Sequence, residues 1–328
     1  MMQVVTSVLL GGDVMLGRLV KKAILKCGVD YPMGDLSPLL WQADCVLVNL
    51  ECAITRNQAI WPGSAKAFYF GAPPEAAISL ANANVKMVSL ANNHILDYDV
   101  QGLIDTLIYL KKEHIAYAGA GLNKEEAYSP GYLTLKKQKI AMVSFCDHQD
   151  DFAANSQSPG MAYLELSDEK KAIRQLEQSL KAMDSDTDWP ILSLHWGPNK
   201  VFRPSSHFIH IAHLAIDMGY RLLFGHSAHV FQGIEIYRNC PIIYASGDLV
   251  DDYYVEPGLD NDHQLLFELR ISGNRIEELR LHPIFIEYCR SLPANPEQFT
   301  YIAARTEKLC GEFGVAVEQR GRELVISL

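Results

Sequence analysis

The chain has 328 residues, of which 48% are hydrophobic and 21% charged, with a formal net charge of −10 and a pI near 5.6. That is ordinary globular composition, enough to bury a full core in one large domain or two modest ones. The acidic balance excludes a non-specific nucleic-acid binder, because phosphate contacts need clustered Lys and Arg.

The predicted elements alternate. Residues 4–10 read as a buried strand ending at Gly11-Gly12-Asp13, and 16–26 as a helix with Leu19, Val20, Ala23 and Ile24 on one face. A strand over 45–50 ends at Glu51. Residues 55–71 are irregular and aromatic, with Trp61-Pro62-Gly63 as a turn signal. A helix over 73–82 starts at a proline, a strand covers 85–91, and a helix covers 99–114. The theme then repeats: strand 140–146, helix 168–183 with a Ser167 cap, strand 191–195, helix 206–219 and strand 221–225. Beyond Val230 come hairpins over 233–237, 241–245, 264–271 and 275–286. The tail reads as a helix near 296–313 and two short strands split by Arg320-Gly321. Strands alternating with helices predict a sheet covered by helices, and the late hairpins predict a second sheet, hence an α/β/β/α layering. Residues 1–290 should form the main domain, with 291–328 packed on it as a helix and small hairpin.

No stretch reaches the ~18 apolar residues of a membrane span, and the N-terminal run lacks the basic region of a signal peptide. The seven cysteines are odd in number, widely spaced and without a CxxC pair. They read as reduced, buried thiols in a cytoplasmic protein.

Five predicted strands end in polar residues: Gly12-Asp13, Asn49-Leu50-Glu51, Asn92-Asn93-His94, His195-Trp196-Gly197, and Gly225-His226-Ser227-Ala228-His229. In open α/β sheets, ligands bind at the carboxyl ends of strands. Carboxylate oxygens, imidazole nitrogens and a neutral amide carbonyl, without thiolate, suit Mn, Fe or Zn in a working site better than a structural zinc. Two such ions ~3.5–4 Å apart would serve a hydrolytic displacement. Each piece has a plainer reading: Asp13 could cap the following helix, Glu51 could be a solvated loop residue, Asn92-Asn93 suits a turn, and His195 could be a hydrogen-bonded core residue. His207, His210 and His213 share a helix face and read as surface positions. His148, beside Asp147, Asp150 and Asp151, reads as a substrate-side loop. The coincidence of all five endings favours a metal site.

At these residues the chain resembles the capsule-synthesis protein CapA family, also called the poly-gamma-glutamate synthesis family. The matching stretches are Gly12 to Arg18, Asn49-Leu50-Glu51, Ala91 to Tyr98, Leu194 to Gly197, Gly225 to Gln232, and Pro241 to Asp252 with its Tyr244-Ala245-Ser246-Gly247-Asp248 run. The resemblance covers roughly residues 3–285. It implies the calcineurin-like metallophosphoesterase fold, a four-layer α/β/β/α sandwich with two divalent metals at the strand ends. It assigns Asp13 and His229 to the first metal, Asn93, His195 and His226 to the second, and Glu51 to a position between them. His94, oriented by Asp97, becomes an acid toward the leaving group, and Arg18 a holder of an anionic substrate. Met15 stands where many phosphoesterases carry a metal-binding histidine, Glu51 replaces the usual Asp, and Ser227 replaces a further histidine. The function so implied is a metal-dependent phosphoesterase acting on a small anionic or phosphorylated substrate. The alternative is a non-catalytic or weakly catalytic accessory protein of capsule or poly-gamma-glutamate synthesis that handles an anionic polymer.

Overall fold

A computed structural model describes residues 5–328. The strand expected over 4–10 therefore begins outside the described residues; what is described is strand β1 (Val5–Val14), which runs through the Gly-Gly pair and includes Asp13. Helix α1 (Arg18–Cys27) follows, then β2 (Cys45–Leu50), helix α2 (Ala76–Asn82), β3 (Val85–Ser89), helix α3 (Asp99–Lys112) and the short edge strand β4 (Ala116–Ala118). Next come β5 (Gly131–Leu135), β6 (Gln138–Cys146), α4 (Glu169–Lys181), β7 (Trp189–His195), α5 (Ser206–Met218) and β8 (Leu222–His226). The chain closes with β9 (Ile234–Tyr237), β10 (Cys240–Ile243), β11 (Asp248–Val250), β12 (His263–Ser272), β13 (Arg275–Glu287), β14 (Arg290–Pro293), α6 (Pro296–Gly311), β15 (Glu318–Arg320) and β16 (Glu323–Ser327).

Two sheets carry the molecule. The larger, ten-stranded sheet has the order β15-β16-β13-β12-β1-β2-β3-β4, with β11 beside β1 and β14 beside β13. The six-stranded sheet has the order β9-β10-β8-β7-β6-β5. Its four inner strands, β10, β8, β7 and β6, are parallel, as are β1 through β4 in the first sheet.

The layering follows from side-chain alternation. Along β1, Val8 and Leu10 face the second sheet while Leu9 faces the helices; along β6, Ile140 and Met142 face inward while Ala141 and Val143 face outward. Strands buried on both faces read as unbroken apolar runs, which makes them legible as strands. The outer face of the first sheet packs on α1, α2 and α3 through Val20, Ile24, Leu80, Leu103 and Leu107. That of the second sheet packs on α4 and α5 through Ala172, Leu176, Ile211 and Ala215. The result is a four-layer α/β/β/α sandwich, the architecture that the resemblance implies. Helix α6 inserts Phe299, Ile302, Ala303 and Leu309 into the core between the sheets, and β16 pairs with β13.

Three expectations differ from the structure. The late hairpins do not build a sheet of their own: β9 and β10 extend the second sheet, while β12 and β13 extend the first along β1. Each offers one buried face and finds an open ladder edge there, which satisfies its backbone groups as well. Helix α4 is capped by Asp168, whose carboxylate accepts from Lys171 N, rather than by Ser167. Strands β4 and β5 carry no recognisable run in the sequence, being short and half-exposed at sheet edges.

Candidate metal centre

The parallel strands place their carboxyl ends at one edge. Register sets Asp13 beside Asn49 and Asn49 beside Ser89 in the first sheet, and His195 beside His226 in the second. Asp13 reaches this edge because β1 passes unusually close to the backbone of Gly247, to which Asp13 N donates at 2.8 Å. A Cβ at Gly12 would stand 1.8 Å from the Gly247 carbonyl oxygen, so the Gly-Gly pair is what permits the approach. Asp13 is not a helix cap: α1 starts at Arg18, well beyond it, and Leu19 N donates instead to Asp252 Oδ2 at 2.8 Å.

Asp13 is buried and stands between histidines. Its Oδ1 is 3.6 Å from His226 Nδ1 and 3.9 Å from His195 Nδ1, and its Oδ2 is 3.6 Å from His229 Nδ1. Asn49 Nδ2 donates to Oδ1 at 2.7 Å and Ser227 N to Oδ2 at 3.1 Å. Glu51, equally buried, points its Oε1 at three imidazole Nε2 atoms: His195 at 3.8 Å, His94 at 3.9 Å and His229 at 4.0 Å. Asn93 Oδ1 lies 3.0 Å from His195 Nε2. All six residues expected to hold metal thus face one small volume.

Two donors that sequence reading passed over belong here. Asp248 Oδ1 is 2.9 Å from His229 Nδ1, and Tyr253 OH donates to Glu51 Oε2 at 3.0 Å. His148 also reaches the centre: its ring is 5.2 Å from that of His195, and its Nδ1 pairs with Asp147. By contrast His210 and His213 pair with Glu169 and Glu235 along α5 and take no part.

The electrostatics fit divalent cations. Burial pushes the Asp13, Glu51 and Asp248 carboxyls up, and the neighbouring Asp13 charge pushes Glu51 further. Burial also holds two of the imidazoles neutral, taking His226 down to about 3 and His195 well below its ordinary value. Neutral imidazoles expose lone pairs, and clustered buried carboxylates need positive charge; a divalent cation satisfies both. Within the described residues, two groups of three donors converge with their ligand atoms within 4.8 Å of one another: Asp13, His195 and His226, and Asp13, His229 and Asp248.

Beside the cluster lies the predicted acid. His94 Nδ1 is 2.6 Å from Asp97 Oδ2, its ring stacks on Phe70 at 3.8 Å, and burial takes it down to about 4 against the pull of Asp97. Lys66, from the irregular aromatic loop, completes the arrangement: its Nζ is 2.6 Å from Asp97 Oδ1 and 3.1 Å from His94 Nδ1, and it also binds the Asn93 carbonyl. No periodicity or motif marks Lys66 in the sequence.

A cavity of about 290 Å³ opens onto Glu51, Asn93, His94, His195 and His229. Its walls include Arg18, Phe68, Lys200 and Tyr254. Arg18 stands over the Phe68 ring at 5.0 Å and keeps an ion pair with Asp252 at 3.3 Å, so its guanidinium is held at the cavity rim.

Several known proteins are similar to this chain. A probable polyglutamine synthesis accessory protein of Mycobacterium tuberculosis is 28% identical, covering 98% of this chain and 95% of that protein. The capsule biosynthesis protein CapA of Bacillus anthracis is 27% identical over 74% of this chain but only 58% of its own length. Among solved structures, a hypothetical protein from Thermus thermophilus superposes with a TM-score of 0.47 at 16% identity, covering 88% of this chain and 96% of that one. The family model for the bacterial capsule synthesis protein PGA_cap matches residues 7–253, a span that runs from β1 to Tyr253 and contains every residue of the centre described above. By that match the chain belongs to the PGA_cap family of bacterial capsule synthesis proteins.

Proposed function

We propose that this protein is a metal-dependent hydrolase of the phosphoester-cleaving type, holding two divalent ions (Mn, Fe or Zn) among Asp13, Glu51, Asn93, His195, His226 and His229. The observation that carries the reading is the placement of the His94–Asp97 pair at the floor of the same cavity as the buried donor cluster. His94 belongs to neither group of converging metal donors, so its Nε2 is left to act toward a bound substrate while Asp97 fixes the ring.

The bound ions would supply Lewis acidity, neutralising phosphoryl oxygens and lowering the pKa of water. The protein's own groups do the rest. Arg18 at the rim attracts and orients an anionic substrate. His94 directs Nδ1 to Asp97 and turns Nε2 toward the cavity floor, where it exchanges a proton with the leaving oxygen. An anionic substrate beside it favours its charged form, so the acid is armed on binding. The cavity is small, which suits a small phosphorylated molecule or the end of an anionic polymer. The seven cysteines are all free thiols, in keeping with a reducing, cytoplasmic setting; no helix of the described residues is long and apolar enough to cross a membrane.

A second reading, an accessory protein of poly-gamma-glutamate or capsule synthesis with little catalysis, is favoured by Met15. Its sulfur accepts from Gly17 N at 3.1 Å and offers nothing to the centre. Chromogenic phosphodiester and phosphomonoester assays on manganese-loaded protein separate the two. The hydrolase reading expects turnover that His94→Ala abolishes while both ions stay bound. No turnover of either ester class by fully loaded protein would leave the accessory reading standing.

A further inference from the structure

On the two-ion reading, position 15 offers the first site no donor, since Met15 stands where the resemblance expects a histidine. Met15 is fully buried among Val14, Leu16 and Val20, with its sulfur engaged by the backbone. Another chain segment comes to the same place. Strand β11 runs parallel to β1 with Asp248 in register with Asp13, so two carboxylates from different strands lie side by side. A pair of buried like charges is costly unless a cation lies between or beside them. His229 Nδ1 stands against both, 2.9 Å from Asp248 Oδ1 and 3.6 Å from Asp13 Oδ2. Asp248 is completely buried, and its Oδ2 accepts from no donor within the described residues; the equally buried carboxyl of Asp251, whose own Oδ2 also lacks a donor, is the neighbouring group, so three acids crowd this point. An orphaned carboxylate oxygen in such a position calls for a ligand.

We propose that Asp248 is itself a metal ligand, completing with Asp13 and His229 a first site for a hard divalent cation such as Mn²⁺. Asp13 would then serve both ions, its Oδ1 lying on the side of His195 and His226 and its Oδ2 on the side of His229. The first site is rich in carboxylate oxygen and the second in imidazole nitrogen, so the two differ in metal preference, the first favouring the harder ion. This ligand rests on the two-ion reading above, and neither the motif pattern nor the relatives' names assign it.

The competing role for Asp248 is to orient His229 by accepting its Nδ1 proton. Asp248→Asn separates the two, because the amide oxygen can still accept that proton while the charge is gone. Metal-depleted parent and D248N proteins, matched for thermal unfolding, are titrated with Mn²⁺, and bound equivalents are counted by electron paramagnetic resonance. The parent is expected to bind two equivalents. D248N should bind one, with affinity for the other reduced beyond the roughly 10–100-fold typical of a lost outer-shell partner. D248N holding two equivalents with the affinity of the weaker one reduced by no more than about 100-fold would make Asp248 an orienting residue and overturn the proposal. A parent that binds one equivalent or none would bring down the two-ion reading as well. If D248N does not fold, crystals of the parent soaked in Mn²⁺ decide: an Asp248 oxygen within about 2.5 Å of an ion supports ligation, and one held off by the His229 ring refutes it.

Discussion

Lys66→Met is the most searching perturbation of the proposed acid. Lys66 Nζ stands 3.1 Å from His94 Nδ1 and 2.6 Å from Asp97 Oδ1. Two like unit charges at that first separation repel by about 5 kcal/mol at an effective dielectric of 20, equivalent to nearly 4 pKa units as a ceiling. Lys66 thus opposes a second proton on His94 in two ways, by repulsion and by drawing on the charge of the carboxylate whose other oxygen His94 holds. In the parent, burial takes His94 down to about 4. Removing the ammonium should raise it toward its ordinary value of about 6.5 without reaching it, because the burial that is the larger cause of the depression remains. The assay is a titration of imidazole carbon-bound protons by NMR in metal-depleted protein, with His94→Gln to assign the signal. Removing one partner of a buried ion pair should also cost about 3–5 kcal/mol of stability, partly offset as His94 takes up the positive charge. An unshifted His94 in folded K66M would show that Lys66 is an anchor for the Asn93 carbonyl and not a control on the acid.

Glu51→Gln keeps the size of the side chain and removes the charge facing three imidazoles; it should retain at most one metal equivalent and lose hydrolysis, read by elemental analysis and the ester assay. Because His94 and His226 are depressed from 6.5 to about 4 and about 3, the unfolded chain binds more protons than the folded one below the ordinary histidine value. The contribution of these two rings to metal-free stability is therefore fully present above about 6.5 and falls on acidification below it, while the raised Asp13, Glu51 and Asp248 carboxyls, which hold protons more tightly folded than unfolded, contribute with the opposite sign. The two rings together contribute a slope of up to about 2.7 kcal/mol per pH unit where both differ fully; the His94 share is read as the difference between urea unfolding of chelator-treated parent and of His94→Gln, and identical pH profiles for the two would mean that the His94 ring is solvated. Gly12→Ala places a methyl group 1.8 Å from the Gly247 carbonyl oxygen. It should cost about 3 kcal/mol or more, and a melting temperature like the parent's would show that β1 and β11 can separate.

How much of this is legible in the sequence depends on what kind of pattern a residue belongs to. Strands such as Gln138–Cys146 and Trp189–His195 are apolar on both faces and announce themselves, and the polar residues that end them stand out by contrast. Asp13, Glu51, Asn93, His195, His226 and His229 can be grouped because five ordered endings coincide. Lys66 cannot: it comes from a loop without period, and only tertiary contact gives it a partner 31 positions away at Asp97. Asp248 lies inside a recognisable run, yet its proximity to Asp13 depends on a parallel ladder across most of the chain. Tyr253 is similar, 202 positions from the glutamate that it holds.

The neighbours of β1 bear on how the protein is made. β1 sits in the middle of its sheet, and Ser7 Oγ reaches Glu268 Oε1 across 261 positions of sequence. A ribosome adding roughly 5–20 residues per second needs on the order of 10–50 s to supply that distance. Throughout that interval Val8 and Leu10 lack the β12 side of their cover, and one ladder edge of β1 stays open. Such an apolar strand edge is a substrate for chaperones and a seed for aggregation. Covering it during the wait, with a holdase present throughout synthesis, should raise the soluble yield more than any stabilising surface substitution.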